Sequence, residues 1–176
     1  MKTTGLRALP GARRFWATFF LIAALATATT IFCFSAQEQQ SSSDASDPIT
    51  EKVAKAVKTR KQRKKLSTDE RKAYMEAVSV VVRKSAHFGE YALLGFNLAA
   101  WLRLRRERAD ARRTALVAWG LGTLYGCSDE LHQLFVKGRA CSLIDMGIDS
   151  AGALGGALLA ALALSLLARR RGAFAP

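Results

Sequence analysis

The chain has 176 residues, half of them apolar, and a formal net charge of +13 from 27 Lys and Arg against 14 Asp and Glu. That length suits one domain, and apolar residues that come in blocks rather than amphipathic stripes exclude an ordinary water-soluble core and point to lipid. The basic residues gather at the edges of the blocks, which fits membrane flanks; no aromatic platform accompanies the Lys55–Lys65 run, so no nucleic acid is expected as a partner.

Met1 to Arg14 is a short basic leader (1–14). Phe15 to Phe34 follows as the first spanning helix (15–34), long enough to cross a hydrocarbon layer of about 30 Å. A cleavable signal peptide is disfavoured, because the block exceeds the usual apolar region and Phe34-Ser35-Ala36 is a poor cleavage site. The hydrophilic stretch from Ser35 to Ala86 opens on a turn-rich segment and continues into a Lys-rich run with weak helical spacing at Val53, Ala56 and Val57. Ser67 and Glu70 then form a capping box. The helix they start is expected to pass through Tyr74, Val78, Val81 and Val82 and on into the next apolar block, since no Pro or turn cluster intervenes before Trp101.

A second span is read at Ser85–Leu104, a loop with six arginines at Arg103–Arg113, a third span at Thr114–Gln133 and a fourth at Leu143–Ala168, closed by Arg169, Arg170 and Arg171. The expectation is an all-α polytopic membrane protein: a four-transmembrane-helix bundle with an extracytoplasmic helical segment at 35–84, a core at 85–168 and a tail at 169–176. Basic flanks assign both chain ends to the cytoplasm, although the loop from Ser35 to Ala86 itself holds twelve Lys and Arg against seven acids. Cys33, Cys127 and Cys141 are odd in number and lack metal spacing, so they read as small apolar filler.

Chemistry concentrates between Tyr125 and Ser150. At about 100° per residue, Tyr125, Asp129, His132 and Gln133 share one face of the third span while Glu130 points elsewhere. Ser142, Asp145, Asp149, Gly152 and Gly156 share one face of the fourth, where the glycines admit another helix; Gly152, Gly155 and Gly156 also suit self-association. Arg83, Lys84, His87, Glu90 and Tyr91 make a third stripe where the second span begins. These stripes lie at the start, end and start of their helices, so all converge on the membrane face opposite the arginine clusters. Ionisable groups at that depth cost about 2.5 to 3.5 kcal/mol each and are a functional hypothesis by default.

Arg83, Lys84 and Arg139 together suit a lipid phosphate, and Asp129, Glu130 and His132 are the candidates for acid or base work. His87 with Glu90 also reads as a packing pair. His87, His132 and the carboxylates are suitable ligand types with the spacing of helical metal sites, but the site is read without a metal. Ser142, followed by Asp145, reads as a helix N-cap rather than a nucleophile.

Three stretches resemble the VanZ-like membrane proteins: FSAQ and the serines after it; Arg83, Lys84, His87, Phe88, Glu90, Tyr91 and Gly95; and Asp129, Glu130, His132, Gln133, Phe135, Arg139, Ser142, Asp145 and Asp149, continuing to Gly152. Ala36 stands where a second Ser is common. The resemblance spans about Phe32 to Gly156 and implies a small polytopic protein of the bacterial inner membrane, of a family whose namesake is associated with low-level teicoplanin resistance; it supplies no reaction and no cofactor. Two readings follow. In one, an outer-face pocket binds a charged amphiphile, such as a lipid-linked phosphate or cell-wall precursor. In the other, the protein is an intramembrane hydrolase or transferase acting on a phosphorylated headgroup.

Overall fold

A computed structural model describes residues 10–37, 48–56, 67–106 and 110–173. Most of the basic leader, the serine-rich turn segment, the Lys-rich run beyond residue 56, part of the six-arginine loop and the last three residues of the tail lie outside the described residues. Among the described residues every element is helical: α1 (Pro10–Ser35), α2 (48–56), α3 (Thr68–Arg105), α4 (Ala111–Gln133) and α5 (Leu143–Ala173).

Local sequence sets the helix ends. Ser67 and Glu70 form the expected capping box, with the Glu70 N–H donating to the Ser67 hydroxyl and the Ser67 N–H to the Glu70 carboxylate. The carboxylate of Glu70 is held below its usual range by hydrogen bonding to the Ser67 backbone N–H and then to the Ser67 hydroxyl. From there α3 runs 38 residues without interruption, through the boundary where hydrophilic sequence gives way to apolar. Asp110 caps α4 by accepting the Arg113 N–H at 2.7 Å, a cap hidden in the sequence by the arginines around it. Ser142 caps α5, its hydroxyl accepting the Asp145 N–H at 3.2 Å as expected.

α1 and α5 are both long and apolar enough to cross a membrane. The distribution of side chains says the same. The buried apolar positions are mostly alanines, such as Ala99, Ala118, Ala153, Ala157 and Ala160, while Phe15, Ile22, Leu25, Leu124, Leu158 and Leu162 face outward. Large apolar groups outside and small ones inside invert the order expected in water and match helix packing in lipid.

The α3 and α5 helices make the most extensive contact and run parallel, joined where neither has bulk. A Cβ at Gly156 would stand 1.8 Å from the Ala92 carbonyl oxygen, one at Gly152 2.4 Å from that of Phe88, and one at Gly95 2.1 Å from that of Ala153. Gly152 and Gly156 are therefore spent on α3, which corrects the expectation that they support self-association. α4 lies antiparallel to both, tied to α5 by the Trp119 indole N–H and Thr123 hydroxyl on Ser150 (3.0 and 2.9 Å) and to α1 by the Tyr125 hydroxyl on the Ala28 carbonyl (2.6 Å).

Arginines close two helix ends by donating to carbonyls that no longer have intrahelical partners. Arg13 reaches the Leu104 and Arg105 carbonyls at the end of α3, and Arg139 reaches the Phe34 and Gln37 carbonyls at the end of α1. The α2 helix rests on α3 through the Tyr74 hydroxyl, which donates to the Ala54 carbonyl.

Replacing Gly156 with Ala forces α3 and α5 apart and destabilises the bundle by about 1–3 kcal/mol. Gly147→Ala, where nothing stands within 4 Å of the new Cβ, is neutral or stabilising; thermal unfolding of the two variants in detergent measures the contrast.

Candidate functional site

The end of the bundle where α3 enters, α4 leaves and α5 begins collects the predicted stripes. Gly138, at φ 80°, turns the chain between α4 and α5, and the Ser142 cap then starts α5 with Asp145 and Asp149 one turn apart. Lys84 and Asp145 form a close ion pair. One turn further in, His87 Nδ1 lies 3.3 Å from Asp149 Oδ1, and Asp149 has no exposed surface.

Glu130 is 1% exposed, with one oxygen accepting the Ser142 N–H at 2.8 Å and the other the Gln133 amide at 3.1 Å. The same amide lies 3.4 Å from buried Asp129. His87, Glu130 and Asp149 bring one ligand-type atom each to within 4.8 Å of one another. Tyr91 is fully buried beside them, admitted by Gly126, where a Cβ would sit 3.2 Å from both the Asp149 Cβ and the Tyr91 ring. Among the described residues, Asp149 Oδ2, Asp129 Oδ1 and the Tyr91 hydroxyl are buried without a hydrogen-bond partner.

Outside this cluster lies an open pocket of about 200 Å³ lined by Arg83, Lys84, His87, Gln133, Arg139 and Asp145. The three cations of the predicted clamp do meet here, but they are not equally available. Lys84 is shared with Asp145, and Arg139 spends two of its nitrogens on the end of α1. Arg83 makes no hydrogen bond or ion pair among the described residues. Burial lowers the proton affinity of the Arg139 guanidinium, and the nearby charge of Arg83 lowers it further. Two like charges bordering one small cavity are a setting for an anion. A larger cleft of about 590 Å³ at the opposite end, beside Arg13, Arg14, Trp101 and Arg105, is lined by no carboxylate or imidazole among the described residues.

Three expectations need correction. Glu130 points into the cluster, and His132 leaves it to stack on Phe32 of α1, with ring centroids 4.8 Å apart. The buried face of α4 is centred on Gly122, Gly126 and Gln133; it places His132 and Glu130 on opposite flanks, roughly 160° apart at helical spacing. Small residues mark the inward face of α4, and a stripe drawn through them rather than through the polar residues includes Glu130. Finally, His87 pairs with Asp149 across the bundle rather than with Glu90 on its own helix; Glu90 is half-buried and has no partner among the described residues. Cys33, Cys127 and Cys141 are unpaired thiols.

Glu130→Ala leaves the Ser142 N–H without its acceptor and the Gln133 amide with Asp129 alone, and costs about 1–3 kcal/mol, while Glu130→Gln, which keeps one carbonyl oxygen for Ser142, costs less. The difference in detergent melting temperature between the two variants is the measure.

The family model described as VanZ/LLP1 matches residues 19–164, which include all four long helices in part or whole and every residue of the cluster. No curated protein and no solved structure matches the chain.

Proposed function

This chain belongs to the VanZ/LLP1 family, and on that premise we propose that it is a four-span inner-membrane protein whose outer-face pocket binds the phosphate of a membrane amphiphile, such as a lipid-linked cell-wall precursor. The observation that carries the reading is the meeting of Arg83, Lys84 and Arg139 around one cavity, with Arg83 uncommitted among the described residues. An anion held there neutralises cations that otherwise face each other, and guanidinium groups match the geometry of phosphate oxygens. Exposed Leu134, Phe135, Leu143 and Ile144 flank the turn beside the pocket and suit the acyl side of an amphiphile.

In this reading α3 from about residue 85 and all of α4 cross the bilayer alongside α1 and α5. Their inward charges are offset by pairing within the bundle. Residues 35–84 and the pocket stand outside the cell, and the ends, with the Arg103–Arg113 loop, lie in the cytoplasm. An influence on glycopeptide action follows if the bound amphiphile is the precursor that such drugs engage. A second reading, hydrolysis of the phosphate headgroup, draws on His87, which lines the pocket and is backed by Asp149. Asp129 and Glu130 lie behind it, whereas His132 stacked on Phe32 serves neither reading.

Topology is tested in a cysteine-free background: Asp69→Cys reacts with a membrane-impermeant maleimide added to intact spheroplasts, and Arg112→Cys only after permeabilisation. The reverse pattern places the pocket in the cytoplasm. Binding is tested in nanodiscs by native mass spectrometry, with phosphatidic acid against phosphatidylcholine. Arg83→Ala weakens phosphatidic acid binding by roughly tenfold or more at unchanged melting temperature, whereas Arg139→Ala also lowers the melting temperature because it uncaps α1. Release of inorganic phosphate in the same preparation would favour the hydrolase.

A further inference from the structure

We propose that His87, Glu130 and Asp149 form a binding site for one divalent metal ion of the zinc or manganese class, enclosed by α3, α4 and α5 behind the cationic pocket. Three carboxylates, Asp129, Glu130 and Asp149, are at least nine-tenths buried, and among the described residues the only cationic group in contact with any of them is the imidazole of His87. Lys84 is committed to Asp145. Buried charges require a partner or a proton, and a divalent ion supplies two positive charges at the point where the ligand atoms converge.

The geometry suits a metal. His87 Nδ1 and Asp149 Oδ1 are 3.3 Å apart, close to the roughly 3.4 Å between ligands of a tetrahedral ion with bonds of about 2.0–2.1 Å. The Glu130 atom completes a set within 4.8 Å. Independent of that set, Tyr91 offers a fully buried hydroxyl with no partner among the described residues, and the second oxygen of Asp149 is equally unsatisfied there. Both are explained by a ligand at the centre, Asp149 Oδ2 as a further donor atom and the Tyr91 hydroxyl as a hydrogen-bond donor to bound oxygen.

Glu130 is already oriented by the Ser142 N–H and the Gln133 amide, the outer support that ligating carboxylates usually have. One imidazole with carboxylates and no thiolate disfavours Cu(I). The imidazole also disfavours Ca²⁺ and Mg²⁺, which prefer oxygen throughout. The proposal does not depend on the phosphate reading, because the metal is measured without any lipid ligand.

The test uses the full chain in detergent, stripped with chelator, desalted, and titrated separately with ZnCl2 and MnCl2. The expected result is one equivalent of metal per chain by elemental mass spectrometry after gel filtration, a raised melting temperature, and a Co²⁺ absorption band typical of mixed nitrogen and oxygen ligands. Asp149→Asn and His87→Ala each weaken binding by more than about tenfold, and Glu70→Gln, at the exposed cap of α3, leaves it unchanged. Should either ligand variant fail to fold, as judged by helical circular dichroism, Glu130→Gln replaces it with the same expectation. Less than one-tenth of an equivalent of either metal on the wild-type chain, or equal retention by wild type and a folded ligand variant, overturns the site and leaves protonation as the means by which these carboxylates are neutralised.

Discussion

The contact between α3 and α5 governs everything else in the bundle, because it is made by backbone rather than by side chains. Gly95, Gly152 and Gly156 let main chain meet main chain, so the two helices cannot slide without collision. That fixed parallel register is what sets Lys84 opposite Asp145 and His87 opposite Asp149. A shift of α5 by one helical turn, about 5.4 Å, would carry one of the two acids to the other's partner and leave the second acid with none. Glycine packing and ion pairing are thus one arrangement seen at two depths.

Cations take a different part at each end. Arg13 and Arg139 each secure the last carbonyls of a neighbouring helix, the positions where the helix dipole is negative. The same residue type that a composition reading assigns to membrane flanks is therefore partly structural, and the net charge of the chain overstates how many cations are left for a ligand. At the pocket beside Gly138 the uncommitted one among the described residues is Arg83. An anion entering that pocket would meet one such guanidinium, beside one shared ammonium and one guanidinium already in use.

Much of this was legible beforehand where the signal is local. The Ser67–Glu70 box, the Ser142 cap and the unbroken run of α3 each follow from a few adjacent residues, and the meeting of the polar stripes at one end follows from their alternate placement at helix starts and ends. What could not be read depends on distance in sequence or on which face of a helix is inward. Arg139 reaching Gln37 spans 102 positions, and nothing near either residue announces it. A face drawn through the polar residues of α4 misses Glu130, because Gly122 and Gly126 mark the interior of that helix. The Trp119, Thr123 and Ser150 tie is equally hidden, since each residue looks like an ordinary member of an apolar block.

The length of α3 has a mechanical meaning. Thirty-eight residues at 1.5 Å each make a rod of about 57 Å, nearly twice the thickness of a hydrocarbon layer. It contains no proline to act as a joint. Its far half, with α2 resting on it through Tyr74, is a stiff arm continuous with the turns that carry Lys84 and His87, so a tilt imposed at Thr68 would carry those two side chains with it.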